Sequence, residues 1–538
     1  MKTSTFLRIL ALALVFVMLI GALGCNFGEI YDIEEPADND DGEDGDTAKP
    51  TAKPTERPTE KPTEKPVQNP SDDEEPDEYP DDDPMIPDDD IDIGDFGLDF
   101  EGESIGVLMR DFKSSTREWY KQITEDVIDE AVAIRNELVQ EGLNLELDYA
   151  YIPQGNYDSL KANFIDMIQN DVLNDFHYID ICANYGYIGA NPQIRDFMAN
   201  LADQDQFPYF DFDLPCWNQS LIENTFVNGR LHYVTGDLNL STFDSAMALW
   251  YAKKFYNNVR EPSDPASLQQ LALDGGWTYE ELYKYASRIT RWNYGGDGLG
   301  ITSPNSPNPT DVIPTAWQLD LVITNGNGTH SFNIAGNDRL KTAQQWYEQL
   351  FYADGTLTNA SVWDMINGDC MMITTTVYPS TTEHKTMIDA GAEYELLPWP
   401  KFDEHQEDYA TTSQDYYTLM SVLDHRHSSI PTKGEAVSAY LQMSTEVSYL
   451  SVRDVYFGYV VGLGGFYADD TARDIFDLIV DSLVFDFGTV YAPQLNDVVW
   501  LWRDAVCSGN TVEDNFYNDF DKFNTAISNT DRWLGLKK

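Results

Sequence analysis

The chain is 538 residues long, and its 92 Asp and Glu against 34 Lys and Arg give a formal net charge of −58. That imbalance repels polyphosphates and anionic membrane surfaces, which argues against nucleic-acid binding. With 42% hydrophobic and 13% aromatic residues there is still apolar material for a folded body, and the length suffices for more than one lobe.

The first twenty-five residues, MKTSTFLRILALALVFVMLIGALGC, place Lys2 and Arg8 ahead of an apolar run from Ile9 to Leu23, closed by Ala22-Leu23-Gly24-Cys25. A membrane span needs about twenty apolar residues, so this run is short for one. Its layout is that of an export signal and resembles a bacterial lipoprotein signal, with Ala22 where that pattern usually has Leu. The resemblance implies that the Cys25 thiol is lipidated and that Cys25 becomes the N-terminus on the outer face of the membrane. Plain signal peptide and transmembrane helix are the alternatives.

From Asn26 to about Phe100 the chain is nearly all Asp, Glu, Pro, Thr, Lys and Gly. Such a segment has too little apolar surface to offset the entropy of ordering it and is expected to be a disordered tether, 26–102. Thr47-Ala48-Lys49-Pro50 opens a tetrapeptide repeat that runs to Thr63-Glu64-Lys65-Pro66. Proline at every fourth position favours extended polyproline II, about 60 Å over the repeat at roughly 3.1 Å per residue. Acidic blocks flank it, Glu29 to Asp46 and Asp72 to Asp99. They do not fit a calcium loop, because Ile93 follows Asp88, Asp90 and Asp92 where an EF-hand needs Gly.

The remaining body, Glu101 to Lys538, carries 64 acidic and 27 basic residues, a net charge of −37. Cys182, Cys216, Cys370 and Cys507 show no C-x-x-C pair and no His at metal spacing, so neither a metal nor a cofactor is expected. Two disulfides and free buried thiols both remain compatible with the spacing.

Ser104 to Met109 (SIGVLM) reads as a buried strand, followed by a loop at Arg110 to Phe112. Trp119, Ile123, Val127, Ile128, Ala131, Ile134 and Leu138 recur at helical spacing. Leu143, Leu145, Leu147 and Tyr149 alternate as in a strand with one buried face. Tyr157, Leu160, Phe164, Ile168 and Val172 mark a second helix, and Tyr178 to Ala183 (YIDICA) a third strand. This β-α-β-α-β order implies a parallel α/β sheet with ligands beyond the carboxyl ends of its strands. Asn228-Gly229 reads as a two-residue hairpin turn. Gly236 to Ser241 (GDLNLS) is a polar crossing point between lobes. Thr278-Tyr279-Glu280-Glu281 is a capping box that opens a helix through Ile289. A helix from Asp338 to Phe351, another over Ser361 to Ile366 and a strand over Cys370 to Thr375 follow. Pro431 and Thr432 open a helix through Met443, and Ala468 to Leu483 is helical.

Six segments then fall in the order of one family. They are LELDYAYIPQGNYDSLKAN (Leu145 to Asn163), FVNGRLHYVTGD (Phe226 to Asp237), ALWYAKKFY (Ala248 to Tyr256), GWTYEEL (Gly276 to Leu282), NGDCMMIT (Asn367 to Thr374) and ELLPWPKF (Glu395 to Phe402). Together they resemble a family 1 extracellular solute-binding protein, the receptor of an ABC importer. Tyr251-Ala252 departs from the family's Tyr-Asn, so no ligand role is carried to that position. The resemblance implies a two-lobe, type II periplasmic-binding-protein-like α/β fold over 103–538, with lobe 1 about 103–236, lobe 2 about 240–398, and later segments in both. It also implies a sugar or oligosaccharide ligand in the interlobe cleft, permease subunits as partners, a monomer and no catalysis. The lipidated Cys25 then anchors the receptor outside a Gram-positive-type cell.

Asp111 and Tyr185 follow the first and third strands and are expected to face the cleft. Asp237 and Asn239 lie at the crossing, Trp317 follows Pro314, Tyr378 follows the Cys370 strand, and Tyr416 and Tyr417 follow an acidic loop near the second crossing. These eight are the expected ligand-binding residues. The rival readings are a surface-anchored glycoside hydrolase, which needs two carboxylates about 5 to 9.5 Å apart, and a glycan-binding adhesin. No nucleophile elbow, zinc-protease motif or P-loop occurs, and Gly462-Leu463-Gly464-Gly465 lacks dinucleotide spacing. His425 and His427 read as part of a solvated turn.

Overall fold

The computed structural model describes residues 97–111, 117–119, 127–153, 155–292, 299–302, 308–351, 362–367, 369–377, 394–425, 432–458 and 470–537. The signal, nearly all of the tether, and Tyr378 lie outside the described residues. Among the described residues no helix is long and apolar enough to cross a membrane.

Strands β1 (Glu103–Arg110), β2 (Leu145–Ile152) and β3 (Ile181–Tyr185) alternate with helices Val127–Leu143 and Tyr157–Leu173. Next come β4 (Met247–Ala252), β5 (Leu299–Thr302), the short β6 (Val322–Thr324) and β7 (His330–Phe332), β8 (Cys370–Thr376) and β9 (Tyr394–Leu397). The chain closes with β10 (Thr411–Thr412), β11 (Thr418–Val422) and β12 (Leu483–Val484) among helices.

Two four-stranded sheets result. The first has the order β11-β3-β1-β2, with β1 parallel to β2 and β3, and β11 antiparallel to β3. The second has the order β5-β8-β4-β9, in which β4 runs antiparallel to both of its neighbours. Each sheet carries its own core, so the fold is the expected two-lobe α/β arrangement. In the first lobe, Ile105, Val107 and Met109 pack toward helix Gly434–Val447 and Trp217, while Leu108 packs on the other face against Phe164 and Ile168 of helix Tyr157–Leu173. That alternation is the pleat of a strand buried on both faces. In the second lobe the β4 run Met247–Ala252 is buried at every position, and the Trp250 Nε1 donates to Thr376 O at 3.0 Å.

Several local signals match their elements. Helix Asp338–Phe351 has the predicted bounds, and Tyr279–Trp292 starts at its capping-box position. Asn228 and Gly229 both have positive φ, 54° and 75°, as a type I′ turn demands, and Val227 bridges Arg230 across it. Helix Gly434–Val447 begins later than Thr432 suggests, because the Thr432 hydroxyl is engaged by the His425 N–H at 2.8 Å and does not cap the helix. His425 itself is 2% exposed, with Nε2 2.9 Å from Ile179 O, so the solvated turn expected there is buried. The four cysteines are free thiols, three buried and Cys507 exposed.

The third strand starts three residues later than the apolar run at Tyr178, and Gly106 shows why. The backbone of Tyr178 presses on β1 so closely that a Cβ at Gly106 would lie 1.9 Å from the Tyr178 carbonyl oxygen. Asp180 completes the contact, donating its N–H to Gly106 O at 2.8 Å and accepting the Gly106 N–H on Oδ2 at 2.9 Å. Tyr178 is therefore held outside the ladder, with its ring 71% exposed. Gly106→Ala is expected to cost about 3 kcal/mol through forced displacement of this backbone. Urea unfolding of the variant against the parent checks it.

Candidate functional site

Two chain segments link the lobes side by side. Val234 bridges Met420 at one end and Ala246 bridges Ser413 at the other. Thr235, Asp237, Asn239, Ser241, Thr242, Ser245, Ser413 and Thr418 in these segments are all buried. Buried polar groups need partners, and here they find one another. The Thr235 hydroxyl donates to Thr418 O at 2.8 Å, the Asn239 amide to Thr235 Oγ1 at 3.1 Å, and the Thr418 N–H to Ser241 Oγ at 2.9 Å. Ser245 and Ser413 hydroxyls meet at 2.6 Å. Glu118 joins both segments, accepting the Ser241 N–H on Oε1 at 2.6 Å and the Thr418 hydroxyl on Oε2 at 2.7 Å. The GDLNLS stretch, expected as a polar crossing point, is thus an interior crossing that runs into a short helix, Leu240–Asp244.

Beside this crossing the carboxyl ends of β1 and β3 present charged and aromatic groups. Arg110, the last residue of β1, is 6% exposed, donates Nη2 to Tyr416 O at 2.8 Å, and sits 5.0 Å from the Tyr185 ring centroid. Tyr185 in turn donates its hydroxyl to Asp415 Oδ1 at 2.9 Å. Tyr187 donates to Asp497 Oδ1 at 2.5 Å, and its ring packs 5.0 Å from that of Tyr157. Gly186 lets this turn close down, because a Cβ there would lie 2.4 Å from the Tyr417 ring.

Asp415 also lines a cavity of about 260 Å³. Its walls come from the crossing (Ser413 to Asp415), from β4 at Met247, from Asp311 to Thr315, and from a later segment at Trp500 and Arg503. Arg503 forms a two-pronged ion pair with Asp311, with Nε 3.0 Å from Oδ1, and its guanidinium lies 4.8 Å from the Trp500 ring centroid. Asp486 in the same wall accepts the Thr489 N–H and hydroxyl. Burial pushes the Asp311 carboxyl up to about 7 although Arg503 pulls it down, and the nearby Asp415 adds to the rise. Asp415 is raised by burial too. The cavity therefore offers an aromatic face, a fixed guanidinium and carboxylates that gain from further donors, a set suited to a polyhydroxylated solute. Among the described residues no cluster could hold a metal ion.

The expected residues divide by position. Tyr185 and Tyr416 come together at the β-strand ends, Tyr416 donating its hydroxyl to Asp244 O at 2.8 Å. Asp111 is exposed next to them, with its N–H on Ile152 O at 3.3 Å. Asn239 is fully buried within the crossing. Asp237 pairs with Arg453 at 3.5 Å and lines a second, more open cavity of about 780 Å³ with Trp217, Tyr409 and Tyr449. Trp317 is core: it is 0% exposed, donates Nε1 to Pro400 O at 3.1 Å, and packs edge-on against Tyr279 and Trp346. Tyr417 is 1% exposed and packs on Phe485 at 4.5 Å. Tyr378 lies outside the described residues. The sequence points to the loop that Arg110 opens but not to Asp311, Asp415, Trp500 and Arg503, which come from three stretches of chain lying about a hundred positions apart. Arg110 and Asp415 each adjoin a residue that was singled out.

The fold that carries these residues has counterparts among solved structures. The cyclic alpha-maltosyl-1,6-maltose binding protein from Arthrobacter globiformis superposes with a TM-score of 0.53 at 12% identity, covering 80% of this chain and 100% of that one. The sugar-binding protein MalE from Xanthomonas citri gives 0.54 at 12% identity, over 81% of this chain and 100% of its own. UgpB from Mycobacterium tuberculosis, solved in complex with glycerophosphocholine, gives 0.50 at 11% identity, over 80% and 100%. No family model and no curated protein matches the sequence. The fold is therefore that of two-lobe solute-binding proteins.

The ion pair makes a pH-dependent prediction. Asp311 has a folded-state value raised above its ordinary 3.8 to about 7, so its contribution to stability is full below about pH 4 and is lost as pH rises through 7. Arg503→Ala removes the group that offsets this rise and leaves a buried carboxyl alone. The expected loss is about 3 kcal/mol at pH 8 and smaller at pH 5.5, where Asp311 is neutral. Urea unfolding at the two pH values measures it.

Proposed function

We propose that this protein is an extracellular receptor that captures a sugar or oligosaccharide between its two lobes and delivers it to an ABC importer. The observation that supports the reading is the cavity beside the crossing. It is walled by parts of the chain as distant as Met247 and Arg503, and lined by a Trp face, a guanidinium and carboxylates, within a fold shared with solved sugar-binding proteins. The pyranose C–H face packs on an aromatic ring, while hydroxyls can bond Asp311, Asp415 and Arg503. On this reading the chain is not an enzyme and acts as a monomer. Its partners are the permease subunits, and its only membrane contact is a lipid on Cys25.

The acidic tether has a purpose under the same reading. A receptor outside a cell with a single membrane would diffuse away unless it were anchored, and an extended segment lets the folded body reach both solute and importer.

A panel of maltooligosaccharides, other oligosaccharides and glycerophosphodiesters, added to the full chain, tests the proposal. A ligand present at a hundred times its dissociation constant is expected to add about 2.7 kcal/mol of stability, seen as a rise in melting temperature. Cleavage of a panel member in place of binding would support the hydrolase reading and overturn this one. Trp500→Ala is expected to weaken a binding sugar by about tenfold to a hundredfold, the range for loss of an aromatic contact in a buried site. Trp317→Ala is expected to cost about 3 to 5 kcal/mol of stability as a core truncation, with the affinity of the folded fraction unchanged; titration calorimetry separates the two.

A further inference from the structure

Glu118 occupies a place that the receptor reading does not use. It is 0% exposed, stands on a segment of the first lobe, and is the acceptor shared by both crossing segments, through Ser241 N–H at 2.6 Å and Thr418 Oγ1 at 2.7 Å. The two donors are themselves tied, since the Ser241 hydroxyl donates to Thr418 Oγ1 at 2.9 Å. Any bending of one lobe against the other at this point must rearrange that triangle.

Among the described residues, the charged groups facing it are two guanidiniums. Arg110 comes from the end of β1, and Arg135 comes from helix Val127–Leu143, where its Nη2 donates to the Glu118 carbonyl. Arg135 also binds the crossing at Leu238 O, 3.3 Å, and Ser448 Oγ at 3.0 Å. From β2, Tyr149 donates its hydroxyl to Trp119 O at 2.6 Å, and from helix Gly434–Val447 the Tyr440 ring lies 6.3 Å from that of Trp119. Arg117, on the same segment, is engaged by Asp129 at 2.9 Å. The crossing presents only neutral donors to the carboxyl, with Asp415 beyond Arg110.

We propose that Glu118 is a proton-operated latch on the interlobe crossing: its neutral form holds the two segments as they stand here, and its ionisation favours a state in which they part and water reaches the carboxyl. The inference goes beyond the receptor reading and can be tested without any ligand. Burial outweighs the hydrogen bonds and Arg110, and raises the Glu118 carboxyl from 4.5 to about 7. A group that binds its proton more tightly when buried favours the buried state below its hydrated value, near pH 4.5. That advantage is lost progressively as pH rises through 7. With a hydrated carboxyl titrating near 4.5 in the parted state, the equilibrium constant for parting rises on the order of thirtyfold between pH 5.5 and pH 8.5.

The Ser241 amide reports parting directly, because it cannot exchange while it donates to Glu118. Hydrogen exchange of the full chain, read by mass spectrometry on peptides spanning Leu238 to Asp244, is compared with Glu118→Gln at the same pH, so that the intrinsic chemistry of exchange cancels. The wild type is expected to exchange on the order of thirtyfold faster at pH 8.5, relative to the variant, than it does at pH 5.5. A second variant keeps the carboxyl. Thr418→Val removes one donor to the ionised form, and the midpoint of the wild-type profile is expected to move to higher pH. A ratio of wild type to Glu118→Gln that is the same at both pH values, or a midpoint unmoved by Thr418→Val, would overturn the latch and leave Glu118 a purely structural acceptor. Neither outcome depends on whether a sugar binds, so failure of the latch and failure of the receptor reading are separable.

Discussion

The constraint on which the rest of this molecule depends is that two segments of the chain run side by side between the lobes through a buried interior. A segment in the interior must satisfy each of its N–H and C=O groups internally. Here the short stretch of pairing between the two segments is completed by side-chain hydroxyls and amides. Thr235, Asn239, Ser241, Thr242 and Thr418 are buried together, and each hydroxyl has a partner among the others or in the backbone. Small polar residues suit this purpose. They reach the backbone over short distances and leave space for two chains to lie side by side, which long side chains would not.

The same constraint explains where charge is admitted to the interior. Glu118 and Arg135 enter the core because the crossing supplies donors and acceptors for them, not because either has a simple one-to-one salt bridge. Buried ionisable groups of this sort are expensive to desolvate in their charged forms and contribute less to net stability than to the uniqueness of an arrangement. Asp311 and Arg503 follow the other pattern, a directed pair at a cavity wall, in which the planar guanidinium meets the carboxylate with two contacts and rests over Trp500. A guanidinium held that rigidly is available to an incoming solute with little further loss of side-chain freedom.

Charge on the outside has a separate consequence. The body alone carries a net charge of −37, which keeps it in solution and disfavours anionic solutes approaching the cavity. Within the cavity Asp311, Asp415 and Asp486 extend that bias while Arg503 tempers it, and Arg110 acts on Asp415 from outside the wall. A neutral, hydroxyl-rich ligand meets both kinds of group without the penalty that a multiply charged anion would incur.

Much of the first lobe was legible in order along the chain. A continuous apolar run, a period of two and a period of 3.6 are local properties, and they mark β1, β2 and helix Tyr157–Leu173 respectively because those elements bury faces defined by their own residues. Glycine with positive φ and the capping box at Thr278 are local as well, and Tyr185 could be reached from the rule that ligands meet the ends of parallel strands. What the sequence could not determine was which polar residues face inward. GDLNLS reads as a polar crossing point, but its burial depends on Glu118 and Thr418, remote partners that no window contains. Trp317 and Tyr417 carry the same aromatic chemistry as Trp500 and Tyr185, and only packing assigns the first two to the core. Asp311, Asp415, Trp500 and Arg503 line one cavity through the tertiary fold alone, because that fold brings together stretches of chain that are far apart in sequence. From the sequence alone, composition and period mark an expected export signal, an expected tether and an alternating α/β pattern, and the two-lobe class follows from the resemblance of six segments in order. The tertiary structure decided the site, because hydrogen bonding and burial there join residues that the chain keeps far apart.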